Sequence, residues 1–396
     1  MSEIAIVGGV YHERCIWPEW DHIYGSGGRA AAALRSHVER VTLHTYVRED
    51  VGVAFKPYAS NYGFDVVTAE TKDALSFEYV HCMSSPVIRP PLARIHRRPP
   101  IAVSAEAVLR FGMLEGCGKV DSEWCVYDPQ SAFSPEPFEQ NGSKAAHLAV
   151  VANRSEILAM TGGDEPTVAA QKLIEKGAEV VVVKSGPAGA YVITREGQSH
   201  IPAYRSNGVW TIGSGDVFAA IFAARWAVHR ESPERAAELA SRAVSSYAET
   251  MGLPSPLPDS LLQAQLVPAS TVPGRVYLAS PFFNLGQRWL VDEARRCLTE
   301  LGLEVFSPVH DVGPGRAHDI GPADIDALKS CDRVFAILDG VDTGTVFEVG
   351  YASSLGVPVY ALAQSVAEEN LKMIVGTGSQ VFTDFVTALH YTAWKA

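Results

Sequence analysis

The sequence predicts an α/β protein built on two doubly wound sheets of mainly parallel strands, and three observations carry that prediction. Short runs rich in Val, Ile and Ala alternate with amphipathic or alanine-rich helical stretches along the whole chain. Most runs end on glycine or small polar residues that start a turn. A stretch over 253–273 carries five prolines and divides the alternation into two series. The expected division is therefore 1–252, a semi-rigid connector with one short helix at 253–273, and 274–396. A length of 396 residues allows two or three domains, each able to bury its own core.

Composition narrows the class of function. Hydrophobic residues make up 47% and charged residues 20%, as in ordinary soluble domains. A net charge of −12 argues against a nucleic-acid polymer or an anionic membrane as partner. Single nucleotides stay bindable, because backbone nests and helix N-termini handle phosphate without net positive charge. No apolar run approaches the roughly 20 residues of a membrane span, and no signal peptide is expected. The six cysteines (Cys15, Cys82, Cys117, Cys125, Cys297 and Cys331) form no CxxC pair, which points to reduced thiols in a cytoplasm and no zinc site.

In the first series, Ile4-Ala5-Ile6-Val7-Gly8-Gly9 is a buried strand entering a turn. Gly25-Ser26-Gly27-Gly28-Arg29 then precedes an alanine-rich helix over 30–38 and a second strand over 41–47. A glycine-rich run before a helix can cradle a polar ligand with its N–H groups, although close helix–strand packing is the commoner reason for one. Further strands are expected at 124–127, 148–151, 179–184 and 191–194, with helices at 155–160 and 167–176 between them. Pro-rich stretches at 86–100 and 134–137 are expected loops. Thr211-Ile212-Gly213-Ser214-Gly215-Asp216 opens an apolar helix over 217–228. Its glycines expose N–H groups that can stabilise a transferring phosphoryl group, and Asp216 can accept a proton from a substrate hydroxyl. A helix start with a dipole-complementing aspartate accounts for the same residues.

Asn153-Arg154-Ser155-Glu156 and Val181-Val182-Val183-Lys184-Ser185-Gly186-Pro187-Ala188-Gly189-Ala190 precede that motif. In this order they make residues 1–265 resemble the PfkB/ribokinase family of sugar and nucleoside kinases. The resemblance implies a ribokinase-like domain using ATP and Mg2+. Asp216 would be the base, and Gly213, Ser214 and Gly215 the anion hole. Asn153 and Glu156 would form the magnesium and phosphate region, with Glu156 acting on the metal indirectly. Gly186 and Gly189 would lie on the ATP side, and Glu13, Gly27 and Gly28 on the sugar side. The chain departs from the family at three places. Trp210 replaces the usual Asp before Thr211, Gly28-Arg29-Ala30-Ala31 lacks the expected asparagine, and Glu13 stands for an aspartate. About fifteen residues separate Val10 from Gly25, which predicts a reduced lid over the sugar.

The second series places strands at 276–279, 303–307, 333–338 and 357–361, with helices near 287–301, 323–329, 346–355 and 367–373. That is a flavodoxin-like parallel sheet with its strand ends gathered on one side. The strand at 333–338 runs into Asp339-Gly340-Val341-Asp342-Thr343-Gly344-Thr345, where small residues allow a sharp turn. Phe347, Gly350, Tyr351 and Ser354 share one face of the following helix. Asp342 and Glu348 are thereby held at the carboxyl end of a strand, where open α/β sheets bind ligands. A glutamate in the first turn of that helix suits attack on an anomeric carbon. Helix capping by Asp342 and dipole complementation by Glu348 account for the pair equally well.

Three pieces in order resemble the nucleoside 2-deoxyribosyltransferase family over about residues 273–392. They are Tyr277-Leu278-Ala279-Ser280-Pro281-Phe282-Phe283, Asp324 eight residues before Asp332, and Asp342-x-Gly344-Thr345-x-x-Glu348-x-Gly350-Tyr351-Ala352. The resemblance implies that Glu348 attacks C1′ of a nucleoside and forms a glycosyl-enzyme ester. Asp342 would orient it and bind the sugar, Asp324 would protonate the leaving base, and Tyr277 would hydrogen-bond near the nucleophile. Gly344 and Thr345 would lie on the substrate side, and no cofactor is implied. Phe282 and Phe283 suit stacking on a base, while core packing explains either ring as well. A homo-oligomer is expected, because in this family a neighbouring subunit's C-terminal segment often completes the 5′ side; Asn370 and Gln380 are the candidates. The chain is thus expected to cleave or transfer the N-glycosidic bond of a (deoxy)nucleoside or nucleotide, alongside a kinase-like half. The alternative is a nucleotide-binding sensor or scaffold.

Overall fold

The computed structural model describes residues 2–131 and 134–394 and divides into two compact units. Unit 1 comprises the chain up to Ser206 together with Trp210–Pro268, and unit 2 comprises Asn207–Val209 and Ala269 onward. No helix among the described residues is long and apolar enough to cross a membrane.

Unit 1 is built on a nine-stranded sheet. Its order is Gln198–Ile201, Ala190–Ile193, Val180–Lys184, Lys144–Asn153, Gly118–Asp128, Ile101–Phe111, Glu3–Val7, Arg40–Val47 and Asp65–Glu70. From Val180–Lys184 to Asp65–Glu70 every neighbouring pair is parallel, and the two strands at the other edge are antiparallel. Val180–Lys184 is buried nearly throughout, as a parallel strand covered on both faces must be. The chain order reverses beside Glu3–Val7, so a crevice opens there at the carboxyl ends of the strands.

Several expectations are corrected. Ile101–Phe111 is one of the two longest strands, yet its Ser-Ala-Glu-Ala centre carries helix-favouring residues and no clean apolar run. The glycine-rich run is not a loop: the helix begins at Gly25 and ends at Ala33. A Cβ on Gly27 would lie 2.7 Å from the Gly8 carbonyl, so close helix–strand packing explains that glycine. Val87–Arg89, inside the expected loop at 86–100, is a strand. It closes a four-stranded sheet in the order Trp20–Ile23, His12–Cys15, Ser76–Tyr79, Val87–Arg89. The lid is reduced in strand length, but residues 10–25 do not have to build it alone, because residues 76–89 supply its other half.

Unit 2 is a five-stranded, all-parallel sheet in the order Glu304–Phe306, Arg275–Ala279, Arg333–Ile337, Val359–Leu362, Gln380–Phe382. Its order reverses between Arg275–Ala279 and Arg333–Ile337, the kind of switch point at whose carboxyl ends open α/β sheets bind ligands. One face of the sheet and the helix Thr343–Ser354 share a core of Tyr277, Ala279, Val334, Ala336, Val349, Ala352 and Ala361. The buried Arg333 guanidinium donates to Thr392 O at 2.8 Å and to Val272 O at 3.3 Å, tying the last helix to the lead-in of the first strand. Removing it leaves two carbonyls without their charged donor. Arg333→Ala is therefore expected to lower unfolding stability by about 1.5–3 kcal/mol. Denaturant titration followed by circular dichroism checks this, and an unchanged midpoint contradicts it.

Candidate functional sites

In unit 2, Tyr277 lies fully buried on the first strand, its ring stacked on Phe306 at 5.5 Å. Its hydroxyl donates to Glu348 Oε1 at 2.6 Å. The helix carrying Glu348 starts at Thr343, so the glutamate occupies its second turn and not the first, as expected from sequence. The earlier start follows from Asp342, whose Oδ2 accepts from Thr345 N at 2.8 Å and Thr345 Oγ1 at 3.1 Å. The capping explanation therefore holds for that oxygen, a contact worth about 1 kcal/mol. Thr345, Val349 and Ala352 are the buried residues of this helix. Glu348 falls three after Thr345 and four before Ala352, on the edge of the same stripe, which aims it at the strand ends. Phe347 and Tyr351 stack on the outward face, with Phe347 exposed.

Burial is the largest influence on the Glu348 carboxyl, which is pushed up to about 7. Nearby Asp324 and Asp342 add to the rise, and the Tyr277 hydrogen bond opposes it by favouring the charged form. Burial also raises Asp324, whose Oδ1 is enclosed without a hydrogen-bond partner. Glu348 is therefore close enough to feel both aspartates, and a donor on a ligand would satisfy the enclosed Asp324 oxygen. Before this cluster Gly340 has φ +92 and Val341 φ +47, the latter a costly conformation for a β-branched residue that sequence alone does not announce. Thr345 is buried beside Asp342, whereas Gly344 is exposed. Phe282 is half-buried, and Phe283 is 71% exposed at 5.4 Å from it, so core packing does not explain Phe283. Asn370 and Gln380 are both exposed.

In unit 1 a crevice of about 480 Å³ is lined by successive strand ends and by the small sheet. Glu13, Tyr79, Asp128, Gln130, Lys184 and Asp216 all face it. Asn153 and Glu156 do so too, and they form a capping box: Glu156 N donates to Asn153 Oδ1 at 2.9 Å and Asn153 N to Glu156 Oε2 at 2.8 Å. Gly213, at φ +77, caps the helix Ser214–Ala223, which puts Gly213, Gly215 and Asp216 at the crevice. Lys184 Nζ lies 3.4 Å from where a Cβ on Gly215 would stand, and pairs with Asp128 at 2.6 Å. Burial pushes the Asp128 carboxyl up and Lys184 opposes it. Helix N–H groups, an ammonium group and a carboxylate at one edge fit a magnesium–nucleotide polyphosphate in kind. Gly27 and Gly28 pack on Gly8 and Phe55 and do not line the crevice; Gly186 and Gly189 lie in a hairpin turn, also away from it.

The element that sequence left without a role is Arg29, 1% exposed. Its Nη1 donates to Asp216 Oδ2 at 2.7 Å and to Glu13 Oε1 at 3.1 Å, Nη2 bonds Glu13 Oε2, and Nε donates to Tyr247 Oη at 3.0 Å. Gln130 Nε2 donates to the other oxygen, Asp216 Oδ1, at 2.6 Å. Trp210 is buried and packs on Trp20 at 5.1 Å, extending an aromatic wall.

Comparison with known proteins follows this division. Residues 129–260 match the model of the pfkB family carbohydrate kinase, and residues 276–381 that of nucleoside 2-deoxyribosyltransferase. The first match falls almost entirely in unit 1 and the second in unit 2, consistent with a fusion of two domains. Deoxyribokinases of Salmonella typhi and Salmonella typhimurium are each 38% identical over 78 residues, which is 18% of this chain and 26% of theirs. The chain therefore spans about a quarter of the length of these relatives. Among solved structures, ribokinase from Thermotoga maritima aligns with a TM-score of 0.48 at 15% identity, over 67% of this chain and 100% of its own. Fructokinase from Vibrio cholerae aligns with 0.48 at 16%, over 64% and 94%.

Because the Tyr277 hydroxyl favours the charged form of Glu348, Tyr277→Phe is expected to move the Glu348 titration above its midpoint of about 7. Carboxyl-resolved NMR or infrared difference titration measures the shift, and a midpoint that falls or stays put contradicts it.

Proposed function

We propose that unit 2 breaks or transfers the N-glycosidic bond of a (deoxy)nucleoside or nucleotide through a covalent ester on Glu348. The observation carrying this is the half-buried Glu348 held by Tyr277 beside Asp324, on a segment that matches a deoxyribosyltransferase model. A Glu348 oxygen forms a bond to C1′ as the bond from C1′ to the base nitrogen breaks. The electron pair leaves with the base, and Asp324 delivers a proton to it. A second base, or water, then attacks C1′ and releases the carboxylate. Phe282 and Phe283 suit a planar base, while Asp342 and Thr345 hold the helix start that positions Glu348. Exposed Asn370 and Gln380 suit contacts from a neighbouring copy in a homo-oligomer.

Unit 1 is assigned the binding of a nucleoside triphosphate with magnesium, which would carry a transferable phosphoryl group. Gly213, Ser214, Gly215 and Lys184 would hold phosphate oxygens, with Asn153 and Glu156 near the metal. The name of the Salmonella relatives points to a deoxypentose as the sugar to test first.

Chromatography of free base from a panel of nucleosides and nucleotides, with and without ATP, tests the unit 2 assignment. Glu348→Ala is expected to abolish base release while leaving the circular dichroism spectrum unchanged; undiminished release removes Glu348 from its role. Glu348 must be ionised to attack and Asp324 protonated to donate, so kcat/KM is expected to follow a bell-shaped pH profile whose one limb is lost in Asp324→Asn; a single-limbed wild-type profile contradicts the paired assignment. Asp324→Asn is expected to slow release by about 10²–10⁴-fold for poor leaving bases and much less for activated ones. Equal slowing of both kinds excludes Asp324 as the acid.

A further inference from the structure

We propose that Arg29 locks the unit 1 crevice in a form that excludes a sugar or nucleoside hydroxyl from Asp216, so that this unit does not phosphorylate such an acceptor. In phosphoryl transfer the acceptor oxygen bonds to the γ-phosphorus, the bond from that phosphorus to the bridging oxygen breaks, and the hydroxyl proton passes to a base. Both Asp216 oxygens are already engaged, Oδ2 accepting from Arg29 at 2.7 Å and Oδ1 from Gln130 at 2.6 Å, so an acceptor hydroxyl would have to compete with a guanidinium and an amide for its base. The guanidinium itself fills the space beneath the helix start: a Cβ on Gly213 would come within 2.1 Å of Arg29 Nε.

Arg29 also ties together the separate elements that border the crevice. Glu13 lies on His12–Cys15 of the small sheet, Asp216 in the first turn of Ser214–Ala223, and Tyr247 on Pro233–Thr250. All three side chains meet the one guanidinium, with the Tyr24 ring 5.4 Å from it. A buried ion-pair network of this kind resists loss of any member, because each charge left behind would lack its partner. The small sheet is thereby clasped to the helix carrying the would-be base. Gly215 and Lys184, at the phosphate edge, take no part in these bonds, so nucleotide binding and acceptor exclusion can coexist. None of this depends on the glycosidic chemistry assigned to unit 2.

Calorimetry of the full chain with 2-deoxyribose, ribose and a set of nucleosides, each with a non-hydrolysable ATP analogue and Mg2+, reads acceptor binding directly. A coupled assay of ADP release reads transfer. Arg29→Asn opens the compartment but leaves Glu13 and Asp216 facing each other; Glu13→Gln with Arg29→Asn removes both members of the principal ion pair, so a second variant is at hand if the first does not fold. The wild-type chain is expected to bind no acceptor and to release ADP no faster in its presence. A variant with wild-type circular dichroism is expected to bind an acceptor at least about tenfold more tightly than wild type and to release ADP in response to it. Acceptor binding and phosphorylation by the wild-type chain overturns the proposal, as does a folded double variant that gains no acceptor binding.

Discussion

The hydrogen bond from Tyr277 to Glu348 joins a strand in the middle of the unit 2 sheet to the helix that follows a neighbouring strand. It exists only because Arg275–Ala279 and Arg333–Ile337 are adjacent and parallel. The same reversal of strand order places both groups at the switch point, where open α/β sheets bind ligands. Everything chemical about unit 2 follows from that placement. Burial makes Glu348 reluctant to ionise, the phenol opposes this, and two further carboxyl groups add their repulsion. A carboxylate prepared this way gains stabilisation when positive charge develops on a sugar carbon beside it, which is where electrostatic catalysis acts most strongly.

Unit 1 uses the same architectural device with a different electrostatic outcome. Its crevice opens where the strand order reverses, and it also gathers carboxylates. Here a buried guanidinium meets two of them and an ammonium group meets a third. Acids held together without a cation keep one another poised to exchange protons, whereas acids closed onto a cation form a structural network. The two units therefore differ less in fold than in where their positive charge stands.

Much of this was legible in the sequence, for physical reasons that differ from residue to residue. The runs around Ile4, Val181, Val276 and Val334 are continuous and apolar, as strands covered on both faces must be, so both sheets could be anticipated. Ile101–Phe111 escaped because its alanines, serine and glutamate dilute that signal, although it lies beside the first strand. Glu348 was identifiable from its spacing to Asp342, but its turn of the helix was not, because the cap formed by Asp342 moves the helix start to Thr343. Arg29 was visible only as a departure from a family pattern. Its partners Glu13, Asp216 and Tyr247 lie 16, 187 and 218 positions away, and no local rule joins residues so far apart.

The central claim is that Glu348 becomes covalently attached to a sugar. Acid-quenching the protein seconds after mixing with a nucleoside from which it releases base, followed by mass spectrometry of its peptides, tests this most directly. The account predicts a mass increase equal to the nucleoside's glycosyl group, confined to the peptide containing Glu348. An adduct on any other residue, or none at all while base is being released, would contradict it.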